Sequence, residues 1–144
     1  MSAKALEPPR DASQHALVFV YDRHATLARD MLLMRLETCA EYAEKKGWRI
    51  AGWWVDQGDD ALTNDKRPAF GLMLNTIRAA GTDVPRVVLV HDWHRFSRDD
   101  AARGLFTRKV LHLGGWVETC QGEKRLPDGT YVQRPCPNGT AITT

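Results

Sequence analysis

The sequence predicts an α/β domain with a mainly parallel sheet of four to five strands flanked by helices. Three observations carry that expectation. ALVFVY (16–21) and RVVLVH (86–91) are continuous apolar runs, the pattern of strands buried on both faces. Stretches with helical spacing of their apolar residues follow the strand-like runs. The resulting order of strand, helix, strand, helix, strand, helix, strand builds a parallel sheet with helices as crossovers.

Residues 1–15 mix Pro8 and Pro9 with charged and small residues and show no period, so they are read as a flexible N-terminal arm. The first strand, 16–21, opens the domain. From about residue 27 to 46, Leu32, Leu36, Cys39 and Ala43 share one helical face, and Gly47 stands where a left-handed glycine ends a helix. RIAGWWV (49–55) is the second strand. Its neighbours Trp53 and Trp54 must face opposite sides.

The segment 56–67 has the Asp, Gly and Asn content of an exposed loop, and Pro68 suits the first turn of a helix over 68–80 that Gly81 closes. After the third strand, 86–91, comes DWHRFSR. A third helix spans about 99–113, with Ala102, Phe106, Val110 and Leu113 on one face and Asp99 and Asp100 near its positive end. GWVET (115–119) is a short fourth strand. The domain is assigned to 16–121, and 122–144 to an irregular C-terminal tail with a hairpin around Pro127, Asp128 and Gly129.

Ligands of parallel sheets bind beyond the carboxyl ends of the strands. That rule joins three loops into one candidate site: YDRHAT (21–26), the 56–67 loop and DWHRFSRD (92–99). They bring Arg23, Arg67, Arg95 and Arg98 toward one edge. Guanidinium groups are planar, permanently charged and forked, which suits phosphate and the charge that develops in phosphoryl transfer. Spacing alone leaves two readings open: a phosphate site, or arginines solvated or paired with Asp22, Asp56, Asp65, Asp92 and Asp99. Trp93, in the third loop, is the tryptophan expected to be exposed for a partner.

Composition narrows the function classes. A length of 144 residues suits one domain with a core, and a net charge of +2 leaves the nucleic-acid question to the placement of the arginines. Cys39, Cys120 and Cys136 are odd in number and contain no CxxC pair, so neither a disulfide framework nor a zinc knuckle is indicated. His91 and His94 match metal-ligand spacings poorly. No metal and no cofactor are expected. No apolar stretch reaches the ~18 residues of a membrane span, and a cytoplasmic protein is expected.

The order of these motifs resembles the catalytic domain of the serine recombinases, the resolvase and invertase family, in the form found in large serine integrases. A first strand ending in Tyr-x-Arg-x-Ser is matched by Tyr21, Asp22, Arg23, His24 and Ala25; LETCAEYA (36–43) with Gly47 and Trp48 matches the next helix and its end. VDQG (55–58), KRPAF (66–70) and HRFSRD (94–99) complete the series, so the resemblance covers about 16–121.

The resemblance implies a metal-free site in which a serine hydroxyl attacks a DNA phosphodiester and arginines stabilise the transition state. It places Arg23, Arg67, Arg95 and Arg98 at matching positions. Ala25 occupies the place of the nucleophilic serine, His94 that of an acidic residue, and Arg35 that of a glutamine in the first helix. A methyl group offers no electron pair, so the ordinary covalent mechanism is closed to this chain. The expected function is thus a recombination-associated, catalytically inactive or impaired domain that keeps an arginine site for phosphate or DNA. Its implied partners are DNA, bound weakly or without sequence preference, and a second copy or an intact serine recombinase. Two alternatives stand beside it: an active phosphoryl-transfer enzyme using Thr26, Ser97 or a histidine, and an interaction module that regulates an intact recombinase.

Overall fold

The computed structural model describes residues 15–24, 29–57, 67–96 and 100–133. The expected N-terminal arm, apart from His15, lies outside them, as do 25–28 with Ala25 and Thr26, most of the expected 56–67 loop (58–66), 97–99 with Ser97 and Arg98, and the tail from 134 onward. The elements are β1 (Leu17–His24), α1 (Arg29–Lys46), β2 (Arg49–Gln57), α2 (Pro68–Ala79), β3 (Arg86–Val90), the short α3 (Trp93–Phe96), α4 (Asp100–His112), β4 (Trp116–Thr119), β5 (Lys124–Arg125) and β6 (Tyr131–Val132).

The strands form one sheet in the order β2-β1-β3-β4-β5-β6. The four strands from β2 to β4 run parallel, and β5 and β6 add antiparallel at one edge. The sheet therefore has six strands among the described residues, not four to five. The difference comes from the hairpin expected around 127–129. It forms, with Gly129 at a positive φ of 91° and Leu126 and Thr130 bonded across the turn, and its two-residue strands join the sheet instead of standing in an irregular tail.

Both faces of the parallel part are covered, and the period-2 alternation of β1 divides its residues between them. Val18 and Val20 pack with Val87 and Leu89 under Cys39 and Ala43 of α1. Phe19 and Tyr21 pack with Val88 and Val90 under Phe70, Met73 and Ile77 of α2 and Phe106 and Val110 of α4. Gly47 and Gly81, both at φ 76°, end α1 and α2 as their positions predict.

Two details differ from the sequence expectation. β2 runs on to Gln57, so Asp56 is a buried strand residue and not part of an exposed loop. Of the tryptophans, Trp53 is 45% exposed while Trp54 tilts against Phe19 at 5.7 Å, and Trp93 is partly buried against the core. The chain leaves β1 to one side for β2 and returns to its other side for β3. That reversal makes a crevice at the carboxyl ends of β1 and β3, where ligands of such sheets bind.

Candidate functional site

At the carboxyl end of β1, alternation sends Asp22 and His24 toward α1 and Arg23 toward the opposite face. Arg23 is buried, and its Nη2 donates to the carbonyl of His94 at 3.2 Å. Arg95 Nη1 in turn donates to the carbonyl of Arg23 at 3.3 Å. Arg67, the residue that precedes α2, is also buried; its Nη1 donates to the carbonyl of Phe96 and its guanidinium lies over the Phe106 ring, 4.1 Å from the centroid. Arg23, Arg67 and Arg95 thus gather around α3. These side-chain hydrogen bonds run to backbone carbonyls of β1 or α3.

Among the described residues, Asp22 and Asp56 are engaged elsewhere, whereas Asp92 pairs with Arg95. Asp22 is gripped by Arg35 of α1. Asp56 accepts the Tyr21 hydroxyl at 2.7 Å and the amides of Ala69 and Phe70 at 2.8 and 3.2 Å, so it caps α2 from the neighbouring strand. Asp92 pairs with His91 Nδ1 at 2.7 Å and lies 3.8 Å from Arg95 Nε. Burial, reinforced by the bond to Asp56, pushes the Tyr21 hydroxyl well above its usual pKa, which keeps it a donor. The hydrogen bond with Asp22 raises Arg35 still further and keeps its charge fixed.

This edge thus holds three guanidinium groups, two of them buried and bonded to carbonyl oxygens. Burial lowers the local dielectric, so their charges act more strongly than they would in water. Arg95 is the partly exposed one of the three. His94 contributes its backbone carbonyl, while its side chain is exposed. Among the described residues no group of three or more His, Cys, Asp or Glu side chains is arranged to hold a metal ion.

Sequence reasoning missed the other side of β1. Arg35 donates from Nε and Nη2 to the two oxygens of Asp22 and from Nη2 to His24 Nδ1 at 2.9 Å. A guanidinium can only donate, so Nδ1 accepts and the His24 ring carries its proton on Nε2. The signal was present: Asp22 and His24 continue the face of Val18 and Val20, and Arg35 lies four residues before Cys39 on the buried stripe of α1.

Residues 18–123 match the family described as "Resolvase, N terminal domain". Among solved structures the chain is similar to the N-terminal catalytic domain of TP901-1 integrase, with 23% identity, a TM-score of 0.59 and coverage of 72% of this chain and 76% of that one. It is similar to a resolvase family site-specific recombinase from Streptococcus pneumoniae at 21% identity and TM-score 0.59, covering 81% and 75%. A third likeness is to the C-terminal catalytic domain of ISC1926 TnpA, an IS607-like serine recombinase, at 16% identity and TM-score 0.58, covering 72% and 68%. At these identities the likeness is one of fold. No curated protein matches the chain in sequence.

Proposed function

Because the chain belongs to the resolvase N-terminal domain family, the catalytic-type domain of serine recombinases, we propose that it serves site-specific DNA recombination as a DNA-phosphate-binding domain without the ordinary covalent step. The observation that carries this is the gathering of Arg23, Arg67 and Arg95 around α3, at the crevice where β1 and β3 end. Three forked cations at the ligand-binding edge of a parallel sheet suit a phosphodiester. Arg98, close to Arg95 in sequence, is assigned to the same site.

The loss of covalent chemistry rests on Ala25. A serine oxygen would attack phosphorus and expel the sugar oxygen, and a methyl group has no electron pair with which to do so. The order of the sequence motifs supports a reading of the chain as related to the large serine integrases. Its partners in this reading are duplex DNA and either a second copy or an intact recombinase, with residues 16–121 as the domain that contacts them.

Fluorescence anisotropy with a random-sequence duplex over a salt series tests the reading. Binding is expected to fall steeply with salt and to weaken with Arg95→Ala plus Arg98→Ala. Absence of binding at low salt would sink it. Strand cleavage by the unmodified chain would instead favour a nucleophile at Thr26 or Ser97, whereas cleavage gained only with Ala25→Ser would identify a dormant recombinase site.

A further inference from the structure

The β5–β6 hairpin helps enclose a cavity that shares the short helix α3 with the arginines. A cavity of about 330 Å³ lies between α3, α4 and the hairpin, lined by Trp93, Arg103, Gly104, Thr107, Arg125 and Tyr131. Its volume falls within the ~300–1,000 Å³ of small-ligand pockets. The lining holds two arginines and two large aromatic rings and no carboxylate. Trp93 and Tyr131 stand 6.3 Å apart with planes at 41°, tilted and not stacked on each other. Arg125 holds its guanidinium 4.9 Å from the centre of the Tyr131 ring while Nη1 donates to the Gly129 carbonyl at 3.0 Å. Tyr131 is 39% exposed, so a ligand can reach it.

We propose that this pocket binds an unpaired nucleotide, its base against Trp93 and Tyr131 and its phosphate on Arg103 and Arg125. Aromatic faces beside guanidinium groups accept any base with its adjoining phosphate, which is the chemistry of single-strand recognition. A duplex keeps its bases stacked on one another and cannot offer such a face. The inference rests on the reading of the chain as a DNA-binding domain and adds a strand preference to it. Arg125 and Tyr131 lie beyond residue 123, where the family match ends, so the pocket depends on a part of the chain outside that match. Trp93 and Arg95 share the short helix α3, which ties the pocket to the arginine site.

The test uses the whole chain and two variants. Tyr131→Ala removes a stacking face at the sheet edge. Gly104→Leu fills the cavity, and a Cβ at residue 104 meets no atom within 4 Å, so the fold has room for it. Replacing a glycine inside a helix also favours the helix. Anisotropy would be read with a short oligothymidylate, an abasic strand of equal length and a blunt duplex. Each variant is expected to weaken oligothymidylate binding at least about fivefold, the loss of one base–aromatic stack. Abasic-strand and duplex binding should stay within about twofold. Oligothymidylate binding no tighter than abasic binding, or unchanged in both variants, would overturn the pocket even if duplex binding persists. Duplex binding absent while the variants still weaken oligothymidylate binding would overturn the proposed function and leave the pocket standing.

Discussion

Arg35 of α1 grips Asp22 of β1 through two parallel bonds, Nε to Oδ2 at 2.8 Å and Nη2 to Oδ1 at 2.9 Å. Both side chains are buried, 7% and 2% exposed, so water does little to screen the pair. Arg35→Met keeps an unbranched apolar stem and leaves the Asp22 carboxylate buried without its cation. Breaking a buried pair in this way costs about 3–5 kcal/mol. Urea unfolding should show a loss of that size, and one below about 1 kcal/mol would contradict a buried, compensating pair. The double change Asp22→Asn plus Arg35→Met should recover part of the loss because no charge is then left buried.

The parallel core was legible in the sequence because its signals are local. The run at 16–21 is apolar on both faces of β1, and Gly47 and Gly81 adopt the positive φ that their positions after helical stretches imply. What escaped is set by tertiary context. β5 and β6 are two residues each, too short for any period, and are strands only because the edge of β4 offers them partners. Asp56 sits in a run of loop-forming residues, yet it is buried because the Tyr21 hydroxyl and the first amides of α2 converge on it. Arg35 was not read as core because its charge argues for solvent; the carboxylate that lets it be buried lies thirteen residues away on another element.

Asp56 joins β1, β2 and α2 through one carboxylate. Asp56→Ala removes the acceptor for the Tyr21 hydroxyl and for the Ala69 and Phe70 amides together. A lost helix cap costs about 1 kcal/mol and a buried donor left without an acceptor about 1–3 kcal/mol, so a total loss of roughly 2–4 kcal/mol is expected. Asp56→Asn keeps one acceptor oxygen and should fall between wild type and alanine. Hydrogen exchange checks the location of the effect: the Ala69 and Phe70 amides should lose protection in Asp56→Ala before those of α1 do.

Stability should decline on the alkaline side through two tyrosines. Burial first, then the bonds to Asp56 and Glu118, raise the folded-state pKa of Tyr21 and Tyr42 above the ordinary value of 10.0. Above about pH 10 the unfolded chain releases these protons while the folded chain keeps them. The folded state then binds more protons, so unfolding free energy falls as pH rises, by up to about 1.4 kcal/mol per pH unit for each tyrosine. Below pH 10 both states hold the protons and the contribution is flat. Urea unfolding between pH 9 and 11 should show the decline, and Tyr21→Phe should make it shallower; an unchanged slope would mean that Tyr21 ionises normally in the fold.

Cys39 of α1 and Cys120, just after β4, bring their sulfurs to 3.5 Å although 81 residues separate them in sequence. Cys39 is buried and its thiol is pushed up in pKa by the bond from Cys120 and by burial, so Cys120, the more exposed of the two, is the one to react first. With a small-molecule disulfide as oxidant, the Cys120 thiolate attacks one sulfur and releases a thiol. Cys39 then gives up its proton, attacks the mixed disulfide and releases the second thiol, so one disulfide is reduced as another forms. The sulfurs must close to about 2.0 Å, a movement of α1 against the sheet edge. Mass spectrometry of the treated protein should find Cys39 and Cys120 linked within one chain with the loss of two hydrogens, and Cys39→Ser should abolish the link. Closing a loop of this length constrains the unfolded chain by up to about 4.5 kcal/mol, so the oxidised protein should unfold at higher urea. If it unfolds at lower urea instead, the movement of α1 strains the fold by more than the cross-link stabilises it, and Arg35, one helical turn from Cys39, would be the first contact to examine for displacement.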